Sequence, residues 1–164
     1  MPIARVLFTR RHHLGSLAIR VATWSAWSHV DLLDDRGAVP MLIGAVAPSG
    51  VVRVPMAERL GHASRAALVD FSASDSGAVL DAAASQAGKP YDWPGVSGLA
   101  LRSRDWQEDD SWFCSELIAW AFGAAGSPLF RDDEVARITP QHLWMLANPY
   151  QRPARPLDLL HSTR

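Results

Sequence analysis

Cysteine is almost missing from this chain: Cys114 is the single one in 164 residues. One thiol excludes an intramolecular disulfide and any cysteine-rich zinc site, and it suits a reducing compartment. A surplus of charge is missing as well. Lys and Arg total 16 against 17 Asp and Glu, for a formal net charge of −1 and a pI of about 6.6. No strong field is therefore available to recruit nucleic acid or anionic lipid. No run approaches the roughly 18–20 apolar residues that a membrane span requires. The opening Met-Pro-Ile-Ala-Arg-Val-Leu-Phe-Thr-Arg lacks the basic-then-apolar layout of a signal peptide. There is no phosphate-cradling glycine loop, no nucleotide fingerprint and no internal repeat. The expectation is a chain without cofactor, metal, nucleic-acid partner or integral membrane segment.

What is present is ordinary globular material, 48% hydrophobic and 20% charged. The length suits one domain over residues 1–164. Short apolar, β-branched runs predict strands at Ile3–Thr9, Ser28–Leu33, Val39–Val46, Val51–Val54 and Ala66–Phe71. Asp34-Asp35-Arg36-Gly37 makes the second and third of these a hairpin. Helical spacing predicts a helix over 76–87, capped by Asp75 or Ser74 and ended at Gly88. A second helix begins near Cys114 and continues through Leu117, Ile118, Ala121, Phe122 and Ala125 to Gly126. Shorter helices are expected at Ser16–Trp24, Pro55–Leu60, 93–101 and from Thr139-Pro140, with a charged loop at 102–110. The proline-bearing tail from Asn148 reads as extended. Strands and helices are partly segregated, so the fold class is α+β. Seven tryptophans fall at 24, 27, 93, 106, 112, 120 and 144; they read as core packing units or as the walls of an aromatic cleft.

Two residues carry the chemistry. Cys114 follows the helix-starting residues Asp109, Asp110 and Ser111. A thiol in a first helical turn feels the positive end of the helix dipole, which favours its thiolate. A buried structural cysteine would occupy the same face. His29, in Trp-Ser-Ala-Trp-Ser-His-Val-Asp, enters a strand. An imidazole at a strand end beside a helix N-terminus can take the thiol proton and return it to a leaving group.

Gly88-Lys89-Pro90-Tyr91-Asp92-Trp93 followed by Phe113-Cys114-Ser115 resembles the Gly-x-Pro-Tyr-x-Trp…Cys-Ser pattern of NlpC/P60 papain-like cysteine peptidases. The histidine precedes the cysteine here, as in the circularly permuted branch of YiiX-like and YebB-like proteins and in relatives of lecithin:retinol acyltransferase. The likeness spans roughly residues 15 to 145. It implies a papain-like fold with a small antiparallel sheet packed against the helix bearing Cys114. It also implies Cys114 as nucleophile, His29 as general base and acid, and Tyr91 as a hydroxyl near substrate or oxyanion. The implied reaction is cleavage of an amide, in a cell-wall peptide or related isopeptide; with no signal peptide or transmembrane segment evident, the expected setting is cytoplasmic or phage-associated. A lipid acyltransferase or thioesterase and an inactive binding module are the alternatives.

One position departs from the pattern. The family places a polar residue on the strand after the histidine, within an Ile-Glu-Ala-like segment; here that segment is Ile43-Gly44-Ala45. Asp31, two residues from His29 on the same strand face, is the candidate third member. A surface acid is the plainer reading of Asp31, and a backbone carbonyl, a water or Gln141 could also orient the ring. His12-His13 reads as solvated loop, and His62, His142 and His161 share no spacing that suggests a site. Ser115 and Glu116 match the signature without an assigned role.

Overall fold

The structure is a computed structural model that describes residues 2–12, 16–17, 20–21, 24–91, 112–148, 150 and 153–162. Five strands form one antiparallel sheet: β1 (Ile3–Arg10), β2 (His29–Asp34), β3 (Met41–Val46), β4 (Gly50–Pro55) and β5 (Arg65–Ser72). Their order is β4-β3-β2-β1-β5. The expected hairpin is the β2–β3 pair, with Asp34 opposite Met41 and Leu32 opposite Ile43. The helices given by range among the described residues are α1 (Met56–Gly61), α2 (Ser76–Ser85), α3 (Cys114–Ala124), α4 (Pro140–Leu146) and α5 (Pro156–Ser162), with a 3-10 helix at Asp132–Arg137. Among the described residues this is an α+β arrangement, with the sheet packed against the helix that begins at Cys114.

The period-2 alternation of the strands divides the molecule into two apolar cores. On one face Val6, Phe8, Val30, Leu32, Ile43 and Val69 meet Leu117, Ile118 and Phe122 of α3 and Val79 and Leu80 of α2. On the other, Leu7, Leu33 and Leu42 meet Met56 and Leu60 of α1, with Leu159 of α5 against them. Each fully buried aliphatic side chain contributes about 1.5–3 kcal/mol. The register assigns the site residues to a face. Thr9 pairs with His29 and Leu7 with Asp31, and directly opposed residues share a face. His29 and Asp31 therefore lie on the α1 side.

Local signals act as expected where they are strong. Asp75 caps α2, its Oδ1 accepting from the Ala78 N–H at 3.0 Å, and Thr139 caps α4 with Pro140 in its first turn. Two elements correct the sequence reading. The tail is not simply extended, because Pro156 opens α5, proline being at home in a first helical turn. Asp132–Arg137 forms a 3-10 helix whose acidic run gave no apolar periodicity. The helix expected at 93–101 and the loop at 102–110 lie outside the described residues, and Gly88, with φ of +87°, follows α2 by three residues rather than ending it directly.

Candidate active site

Trp27 is buried against Phe8 and Trp144, with ring centroids 5.8 and 5.0 Å away. The Ser28 N–H donates to the Thr9 carbonyl at 3.1 Å and leads the chain into β2. His29 is the first residue of that strand, its side chain 16% exposed. Its Nε2 lies 2.8 Å from Oδ1 of Asp31. Asp31 is wholly buried and is not the surface acid of the plainer reading. Its second anchor is Arg59 of α1: Nε donates to Oδ2 at 2.9 Å and Nη2 to Oδ1 at 3.2 Å. Burial alone would raise the Asp31 pKa. The charges of His29 and Arg59 and their hydrogen bonds more than offset it, and the carboxyl ends below its ordinary range. An ionised Asp31 accepts from Nε2–H, so the lone pair of a neutral ring sits on Nδ1.

Gly44, read from sequence as a gap, has a physical reason to be glycine. A Cβ built there would stand 2.1 Å from Asp31 Oδ1 and 3.0 Å from its Cγ. The Asp31 carboxylate fills the space beside position 44. The β2–β3 pairing runs from Asp34–Met41 to Leu32–Ile43, leaving Asp31 and Gly44 just beyond the paired stretch. Gln141 is engaged elsewhere, accepting from the Ala26 N–H at 3.1 Å. Arg59 was missed from sequence. Its signal was a cation three residues after Met56 and adjacent to Leu60, on the apolar face of a short helix.

Cys114 begins α3, after Phe113 in extended conformation as the cap residue. Glu116 reaches back to accept from the Phe113 N–H at 3.3 Å. Ser115 Oγ donates to the Ile138 carbonyl. Tyr91 bridges Trp112 in parallel, and its ring meets Phe113 edge-on at 6.2 Å. Tyr91 is thereby placed beside the residue that precedes the thiol, 7% exposed. Lys89, two residues earlier, accepts from the Val51 N–H at 2.9 Å, which ties this segment to β4.

The thiol itself corrects an expectation. Cys114 is 1% exposed, and its pKa is pushed up to about 12. Burial is the main cause. Backbone groups of Val30, Ser115 and Cys114 itself favour the thiolate, while the Asp31 charge works against it. Desolvation therefore outweighs the helix terminus, and the resting sulfur is a protonated thiol. Sulfur and imidazole are both neighbours of Val30. Cys114 packs with Val30 in the larger core, and His29 precedes it in the chain with its side chain toward the other face. Among the described residues no hydrogen bond joins ring to sulfur.

No family model and no curated protein matches the chain. Among solved structures it is similar to the metalloprotein YiiX from Escherichia coli O157:H7, of the DUF1105 family. The match has a TM-score of 0.66 at 19% identity and covers 92% of this chain and 94% of that one. The chain has a YiiX-like fold.

Proposed function

We propose that the protein is a thiol-dependent acyl-transfer hydrolase acting on an amide, with Cys114 as nucleophile and His29 as general base and acid. The observation that carries this reading is the His29–Asp31 pair: a ring held at 2.8 Å by a fully buried carboxylate, on the strand against which Cys114 packs. In the proposed cycle ring and sulfur, which the resting fold keeps on opposite faces of β2, first meet at the open end of that strand, where His29 is the first residue. The thiol proton then passes to Nδ1 as sulfur attacks the carbonyl carbon. Collapse of the tetrahedral intermediate breaks the C–N bond, and His29 returns the proton to the departing amine. Water then hydrolyses the thioester. Backbone N–H groups at the start of α3 and the Tyr91 hydroxyl are the candidate oxyanion donors. Because the resting thiol is buried and its pKa is raised, the proposed cycle starts from the thiol and not from a preformed ion pair. Peptide stems of the cell wall are the proposed substrate class, through the likeness to NlpC/P60 proteins.

A metal centre does not fit these side chains. Among the described residues no three His, Cys, Asp or Glu converge as ligands would. Both oxygens of Asp31 are engaged, one by Arg59 alone and one by Arg59 and His29 together. No step is therefore routed through a metal. The burial and raised pKa of Cys114 favour a second reading, a binding module that keeps the fold without turnover.

The test is incubation with muropeptides, reading amine release together with the intact mass of the protein. The hydrolase reading expects release, an acyl adduct on Cys114, and loss of both in Cys114→Ala and His29→Ala. Fatty-acid release from lipids without amine release would replace the amidase with a lipid acyl-transfer enzyme. Muropeptide binding without adduct or release in any variant would leave the binding module.

A further inference from the structure

We propose that Arg59 is a positioning residue for His29, acting through Asp31, and that Gly44 is the vacancy that lets it act. The proposal takes its purpose from the acyl-transfer reading, while its test needs no turnover. Oδ1 of Asp31 serves two partners at once, His29 Nε2 at 2.8 Å and Arg59 Nη2 at 3.2 Å, while Oδ2 receives Arg59 Nε at 2.9 Å. A guanidinium fork fixes the plane of the carboxylate it grips. With that plane fixed, the direction of Oδ1 is fixed, and with it the tilt of the ring.

The grip also has an electrostatic role. Asp31 is fully buried and Arg59 is 7% exposed. A buried carboxyl facing only a neutral imidazole would tend to bind a proton and turn from acceptor to donor, reversing the tautomer. Arg59 keeps it an acceptor whichever charge His29 holds. Among the described residues, Arg11 and Glu58 are further charged groups in this neighbourhood. Arg11 feels repulsion from Arg59 and attraction from Asp31 and Glu58, and it makes no ion pair with the Asp31 carboxylate among the described residues.

Gly44 completes the device. Because its Cβ would stand 2.1 Å from Oδ1, positions 31 on β2 and 44 on β3 compete for one volume beside the imidazole. This chain fills that volume from position 31. An acid supplied from position 44, with position 31 emptied, should reach the same spot within range of Arg59.

The experiment is nitrogen-15 NMR of the histidine rings, read at a pH where the nitrogen shifts themselves report a neutral His29 ring. The wild-type protein is expected to carry the His29 proton on Nε2. Arg59→Met and Asp31→Gly should each lose that bias, and Asp31→Gly/Gly44→Asp should regain it. Wild-type tautomer populations in a folded Arg59→Met protein would reduce Arg59 to a structural ion pair and overturn the proposal. So would a folded double variant no better biased than Asp31→Gly. If Arg59→Met fails to fold, Arg59→Lys decides: a weakened bias supports the fork, and an unchanged one overturns it. A locked tautomer in a protein that releases no amine would sink the hydrolase reading and leave this one standing. Turnover without the lock would do the reverse.

Discussion

A buried thiol and a buried carboxylate put opposite signatures on the pH dependence of stability. The folded pKa of Cys114 lies above its ordinary value of 9.0, at about 12. The fold therefore prefers the protonated form, and that contribution is whole below pH 9 and lost as pH rises toward 12. Urea midpoints of the wild-type protein should fall across the accessible part of that window more steeply than those of Cys114→Ser; parallel curves would refute the burial argument. The same upward shift leaves far less thiolate than a free thiol carries near neutrality. Iodoacetamide should thus label the resting protein far more slowly than a small-molecule thiol. Asp31 has the reverse sign. Its folded pKa lies below the ordinary value, so its contribution is present above about pH 4 and lost as pH falls through the folded value. Asp31→Asn leaves the Arg59 guanidinium buried without its anion and should cost about 3–5 kcal/mol near neutrality. The difference from wild type should narrow in acid; a constant difference down to pH 3 would count against an ionised Asp31.

The elements show which of these features the sequence disclosed. The hairpin, the Asp75 and Thr139 caps and the α3 stripe rest on local rules of spacing and capping, and they stand where those rules put them. The shared face of His29 and Asp31 followed from strand alternation alone. The partnership with Arg59 did not, because it joins residues 28 positions apart across two elements whose packing no local pattern encodes. Gly44 read as a missing side chain until the Asp31 carboxylate was seen beside it. The state of Cys114 was misjudged because a helix terminus is visible in sequence and complete desolvation is not. Ser115 shows the same limit. It matched a signature without a role, and its hydroxyl donates to the Ile138 carbonyl, joining the first turn of α3 to the residue before the α4 cap. Ser115→Ala should strand that buried carbonyl and cost about 1–3 kcal/mol. Thermal melting would measure the loss, and an unchanged midpoint would show that the bond is replaced.

At the scale of the whole molecule the sheet works as a partition with chemistry at one end. The larger core backs β2 from the α3 side, and the smaller core backs it from the α1 side. The orienting pair belongs to the smaller core. Its geometry therefore depends on how firmly α1 is held. Three things hold it: burial of Met56 and Leu60, the Met56 N–H donating to the Pro40 carbonyl at 2.9 Å, and α5, which packs on α1 and β5. Leu159 is the apolar contact of α5 in that core. Truncation after Arg155 should uncover α1, speed amide exchange at Arg59 and Leu60, and leave exchange in α3 near its wild-type rate. The contrast follows from the partition: an element removed from one face loosens what that face supports, and the α3 core on the far side keeps its contacts. Uniform acceleration across α1 and α3 would mean that the two cores open together, and that the grip on Asp31 is no more local than the fold itself.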